Sequence, residues 1–170
     1  MAHKIERDFT AHGLRCVVLA VNLGHRCGYV GVPKGHKLYG LDCSDRSPLL
    51  KAAWDSVKEG PIGKRSILPV ILSAADELPR ADVVFDVHGS LTYSDGDAKY
   101  PVESDGLWWF GFDCEHSGDL KDESIMDENY IALERKYSFA RVGVVRTEEY
   151  VAAECERLAE QLAAFSQPLC

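Results

Sequence analysis

Histidines and carboxylates interrupt apolar runs at two places in the chain, and these residues have the types that chemistry needs. Asp86 and His88 stand two apart in Val-Val-Phe-Asp-Val-His-Gly, residues 83–89. In an extended segment, residues i and i+2 share a face, so both side chains would point the same way. Asp113, His116 and Asp119 follow an aromatic run in Asp-Cys-Glu-His-Ser-Gly-Asp. If the segments carrying these two groups are neighbours, His88 can meet the 113–119 turn. Imidazole and carboxylate are usual ligands for a divalent ion with an open position, here zinc, manganese or magnesium. Such an ion lowers the pKa of a bound water and makes it nucleophilic near neutral pH. His88, Asp113, His116 and Asp119 are therefore the candidate metal ligands and catalytic residues, with a spare carboxylate available as general base. The same residues also suit a structural role, since Asp113 and Asp119 can cap a turn, and no ligand spacing such as His-Glu-x-x-His is present.

A second group is basic and lies in loops. His25 and Arg26 sit in Gly-His-Arg-Cys-Gly, and Lys34 and His36 flank Gly35. With nearby glycine amides, these side chains could hold a phosphate or carboxylate; solvated loop charge is the alternative. Trp108 and Trp109 alternate across a strand, so one belongs to the core and the other, taken as Trp108, is free to stack on a ring. Cys114 beside His116 is a conceivable nucleophile, although its acidic surroundings oppose thiolate formation. His25, Cys27, Cys114 and His116 could also make a zinc set, at a spacing unlike the common one.

The elements that must position these residues can be read from periodicity. Leu14–Leu23 and Cys27–Val32 are strands, joined closely enough for a hairpin, and Pro33 ends the second. Ser47-Pro48 starts a helix whose apolar positions run through Val57 to Gly60. Ser66 starts another, with Ile67, Ile71, Ala74 and Leu78 at helical spacing; the two form a helical hairpin laid on the sheet. Val83–Thr92 reads as a strand in which Gly89 marks a bulge or a close backbone approach. Leu107–Asp113 is the strongest strand, with Trp109 on one face and Trp108, Phe110 and Phe112 on the other. Residues 119–128 read as loop or frayed helix, and Asn129–Tyr137 as one or two helical turns. Thr147 caps a long last helix, with Glu148 and Glu149 in its first turn and an apolar stripe of Val151, Cys155, Leu158, Leu162 and Phe165; Pro168 follows. That stripe serves the core or, alternatively, a homo-oligomer interface. Strand pairs joined by short loops imply an α+β fold, an antiparallel sheet with helices packed on one face and a long C-terminal helix.

The 170 residues suit a single globular domain, 46% hydrophobic and 27% charged. The net charge of −8 is local: nine acids and one lysine lie between Glu103 and Glu128, and the rest of the chain is neutral. No basic footprint for nucleic acid exists. No apolar run is long enough to span a membrane, and the polar first ten residues do not read as a secretory signal. The six cysteines (16, 27, 43, 114, 155, 170) include no Cys-x-x-Cys pair and fit reduced thiols in a cytoplasmic protein.

Several blocks together resemble a known family. They are Leu14–Val18, His25–His36 (with Val-Pro-Lys-Gly-His), Asp86–Gly89, Trp108–Asp119 and Arg146–Val151. In this order they are similar to a family of small uncharacterised proteins encoded by bacteriophages and by bacteria that carry prophages. Compared with shorter members, 46–80 looks like a helical-hairpin insertion. Ser90 stands where a second glycine is expected, and Glu115 where a small residue is usual. The resemblance implies a setting in the bacterial cytoplasm and no particular activity. Three functions are open: a metal-assisted hydrolase of a small phosphorylated or nucleotide-like substrate, a non-catalytic binder that sequesters such a ligand, and an acidic protein that docks on a host protein.

Overall fold

The computed structural model describes residues 2–104, 106–137 and 142–166; Pro168 and Cys170 lie outside them. The first three strands are β1 (His3–Ala11), β2 (Leu14–Val21) and β3 (His25–Pro33). A segment of helices follows: α1 (Lys51–Glu59), α2 (Ile67–Ser73) and α3 (Ala81–Val84). Then come β4 (Tyr93–Asp95), β5 (Leu107–Asp113), β6 (Asp119–Leu120), α4 (Glu128–Tyr137), β7 (Val144–Val145) and α5 (Glu148–Ala163). Five strands form an antiparallel sheet in the order β1-β2-β3-β5-β4, and β6 and β7 make a small parallel pair. The α+β architecture with a long C-terminal helix matches the sequence-based expectation.

The central strands are buried on both faces, which explains their unbroken apolar character. On one face, Val18, Val30, Phe110 and Phe112 pack against Val151, Cys155, Leu158 and Leu162 of α5. The apolar stripe of the last helix is thus packed into the core. A side chain at Gly28 would collide with the Phe112 ring and with Cys155, so this glycine sets how closely α5 sits on the sheet. On the other face, Val17, Leu19, Tyr29 and Trp109 are covered by Val102 and Tyr100.

Two expectations need correction, and one strand has no counterpart among them. The polar N-terminus is β1, an edge strand whose outward face meets solvent. Its charged residues fit an edge and hide the apolar alternation that reveals an inner strand. Val83–Thr92 is not a strand. Its first residues form α3, and Gly89 and Ser90 both take positive φ, +66° and +78°, turning the chain before β4 begins. A short apolar run buried on all sides does not distinguish helix from strand. The helices at 51–73 do not lie together on the sheet: Trp54 and Val57 of α1 enter the core, but α2 buries only Ser73. The ends of this excursion are pinned by an antiparallel bridge between Arg46 and Arg80, so it leaves and rejoins the body at one point.

Cys16, Cys27, Cys43, Cys114 and Cys155 are unbridged. Among the described residues, no helix is long and apolar enough to cross a membrane.

His36 joins two of these parts. Its Nδ1 accepts from the Leu38 amide at 3.1 Å, so Nε2 carries the proton and donates to the Leu162 carbonyl at 3.0 Å. That carbonyl lies in the last turn of α5, outside the regular i+4 ladder, and also accepts from the Phe165 amide at 3.0 Å. Burial, aided by Lys37, holds the imidazole below its ordinary pKa, and the Leu162 carbonyl only partly opposes this. Because the folded pKa lies below the unfolded value of about 6.5, the unfolded chain takes up a proton first as pH falls, and stability drops. His25, also lowered by burial, acts in the same direction. The melting temperature is therefore expected to decline between about pH 7 and pH 5. His36→Gln should make that decline shallower, at a cost of about 1–2 kcal/mol at pH 8, measured by thermal and urea unfolding.

Candidate metal centre and its cleft

Asp119 is the residue around which the site is built. It is 8% exposed, at the start of β6, and accepts three hydrogen bonds. Arg146 Nε donates to Oδ1 at 2.7 Å, while His88 Nε2 (2.8 Å) and the His116 amide (3.0 Å) reach Oδ2. The parallel pairing of β6 with β7, Asp119 opposite Val144, brings Arg146 alongside. Burial alone would raise the Asp119 pKa, but Arg146, the His116 amide and His88 outweigh it and hold the carboxyl below its usual range.

His88 comes from the loop after α3. Its backbone amide donates to Glu154 Oε2 at 2.9 Å, and its Nδ1 meets the Tyr150 hydroxyl at 3.0 Å. Glu154, 1% exposed on α5, also pairs with Lys64. The neutral ring that satisfies Asp119 carries its proton on Nε2 and accepts from Tyr150. Tyr150 can equally accept, so the proton can move to Nδ1 and free Nε2 for an ion.

The His116 ring packs at 5.5 Å from that of His88. It lies directly over Gly89, where any Cβ would collide with it. The close approach expected at Gly89 is thus real, and its partner is His116. Ser90 beside it adopts the left-handed backbone that glycine favours. Its hydroxyl accepts from the Ser66 amide at 2.9 Å, partly offsetting the strain. His116 Nδ1 is shielded from solvent and has no hydrogen-bond partner among the described residues.

One ligand atom from each of His88, His116 and Asp119 lies within 4.8 Å of the others, so the group could hold a metal ion. Asp113 does not join them. It accepts from Thr92 Oγ1 and the Glu115 amide, and its nearest approach to His116 Nδ1 is 3.8 Å. Asp86 is turned away, toward the Lys64 amide and Arg157. With 83–92 not a strand, the shared face expected for Asp86 and His88 does not exist.

His88 and His116 open into a cleft of about 740 Å³ walled by Lys64, Arg65, Ser66, Arg146 and Tyr150. Lys64 Nζ and the Arg146 guanidinium each lie 4.8 Å from the Tyr150 ring centroid.

The expected basic-loop site does not assemble. Arg26 is buried between Glu6 and Asp122, and His36 is occupied by Leu38 and Leu162. His25 is buried beside Glu115, and Lys34 lies over Gly106. Trp108 is half-buried, donating to the Leu41 carbonyl, far from the role of a free stacking platform. Burial pushes the Cys114 thiol up, against a nucleophilic role. Sequence reasoning missed Lys64, Arg146 and Tyr150. Their signals were faint: Lys64-Arg65 between a glycine and a helix start, and Arg146 and Tyr150 in a block that reads only as a helix cap.

No family model matches the chain, and neither a curated protein nor a solved structure proves similar to it. The geometry therefore defines the class: an α+β protein with a His-Asp cluster at the base of a cation-walled cleft.

Gly89→Ala is expected to displace His116 and to cost at least about 1–2 kcal/mol for the left-handed backbone alone. Chemical denaturation and the imidazole NMR signals of His116 would show both effects.

Proposed function

We propose that the protein is a metal-assisted hydrolase acting on a small phosphorylated substrate. The observation that carries this reading is the convergence of His88, His116 and Asp119 beside a cleft lined by Lys64 and Arg146, which are themselves paired with Glu154 and Asp119. Two imidazoles and one carboxylate favour zinc or manganese over magnesium, which prefers oxygen ligands. A metal held by His88, His116 and Asp119 would supply a water of lowered pKa. Lys64 and Arg146 hold the phosphoryl oxygens, and Asp113 is the nearby carboxylate left to take the water's proton. The water oxygen bonds to phosphorus, the ester P–O bond breaks, and the alcohol leaves with that proton. A phage-encoded protein in the bacterial cytoplasm, acting on a nucleotide-like signal, is the setting that fits the resemblance.

A specific observation favours a second reading, a binder that sequesters the same ligand. Both His88 ring nitrogens and both Asp119 oxygens already have partners without an ion, and of these three side chains only His116 keeps an unpartnered ring nitrogen, Nδ1.

Elemental analysis, melting curves with added metal, and incubation with a panel of phosphate esters separate the two. The hydrolase reading expects bound zinc or manganese. Metal at a hundredfold excess over its dissociation constant adds about 2.7 kcal/mol, a rise of roughly 5–10 °C in melting temperature. Turnover should be lost with a chelator and in Asp119→Asn. A metal-free protein with an unchanged melting temperature that returns its ligand intact on heating is the binder, and sinks the hydrolase.

A further inference from the structure

The cleft has a second wall that the metal centre does not use. Helix α2 exposes Ile67 (60%), Leu68 (64%), Ile71 (60%) and Leu72 (71%), while of its aliphatics only the half-buried Val70 packs against the core. Scattered exposed aliphatics are ordinary, but four on seven residues form a contiguous patch, which marks a binding surface. Ile67 and Leu68 line the same cleft as His88, His116 and Arg146. Ile71 and Leu72 stand four residues further on, so the stripe starts in the cleft and runs outward by one turn, about 5–6 Å.

The apolar wall is also fixed to the metal centre. Ser66, just before α2, donates its hydroxyl proton to the Gly89 carbonyl at 2.6 Å, and its amide bonds to Ser90 Oγ. Gly89 carries the His116 ring, and His88 precedes it. One backbone turn therefore holds both the cluster and the foot of the aliphatic stripe. The cations Lys64 and Arg146 line the same cleft and gather around Tyr150.

We infer that the ligand is amphiphilic: a phosphate ester whose organic group is apolar, an aromatic ring or alkyl chain, seated against Ile67 and Leu68 with its phosphoryl group toward Arg146 and Lys64. This rests on the proposal that the cleft takes a phosphorylated ligand. Continuity of the stripe with the cluster selects this occupant over a second copy of the chain, for which the anionic half of the site would have no use. A purely polar ester would leave the aliphatic wall wet.

Calorimetric titration of the full-length chain with inorganic phosphate, glycerol phosphate, phenyl phosphate, and butyl and hexyl phosphate tests this. Phenyl and hexyl phosphate should bind about tenfold or more tighter than glycerol phosphate, with affinity rising from butyl to hexyl. In Ile67→Ser/Leu68→Ser the preference should shrink to about threefold or less while inorganic phosphate binds as before. Both positions are exposed, so the variant should fold, and the chain-length series needs no variant. Co-sedimentation with phosphatidate vesicles then assigns a lipid source if it occurs and a soluble ester if it does not. Equal affinity for all esters, or a preference untouched by the double substitution, overturns the inference and leaves the hydrolase or binder reading standing. No affinity for any phosphate, in wild type and Arg146→Gln alike, defeats the phosphate reading itself. Self-association that the double substitution abolishes, without any ester preference, assigns the stripe to a second copy and also overturns the inference.

Discussion

A carboxylate removed from water must find charge and donors or be protonated, and the buried Asp119 finds both. Its partners come from four separate stretches: Arg146 after β7, His88 after α3, the His116 amide in the turn before β6, and through Arg146 the Tyr150 ring on α5. Removing any one leaves the others with an uncompensated group. Glu154, still more deeply buried, repeats the logic one turn along α5, holding Lys64 and the His88 amide. Together the two acids tie the irregular segments to the regular sheet and helix. The cleft is therefore made of loops but has little freedom to drift, which suits a site that must keep three ligand atoms in place.

The same need for partners rewrites the meaning of the acidic segment. Within it, Asp119 pairs with Arg146, Asp122 with Arg26, Glu123 with Arg135 and Glu115 with Lys121. Three of these four partners are arginines drawn from the neutral remainder of the chain, so part of the acidic segment serves the fold itself. The basic residues lose their free role for the same reason. Arg26 looked like an anion receptor and is instead the counter-ion of Glu6 and Asp122.

Much of the fold was legible in local pattern. The β2–β3 hairpin, the alternation along Leu107–Asp113 and the capped, striped α5 each announce themselves through periodicity and end signals, because their burial is one-sided or complete over many residues. Elements without that property were missed, misread or misplaced. Strand β1 is polar because it is an edge; α3 is too short for a period to show; and α2 has helical spacing but faces solvent. The site was half legible. His88, His116 and Asp119 stood out as polar interruptions of apolar runs, and Gly89 as a place of close approach. Asp113, equally conspicuous, proved to cap a turn.

By itself, then, the sequence determined which residues are chemically able: an imidazole pair, a carboxylate, a glycine that lets one ring approach the backbone. It also determined the sheet and long helix that carry them, since these depend on local periodicity and side-chain burial. Only the tertiary structure decided which able residues meet. Arg146 reaches Asp119 across 27 residues through the β6–β7 pairing, and Lys64 reaches Glu154 across 90, so neither partnership leaves a trace in spacing. Charge is long-ranged in space and blind to sequence distance, and the identity of each counter-ion is settled by how the chain packs.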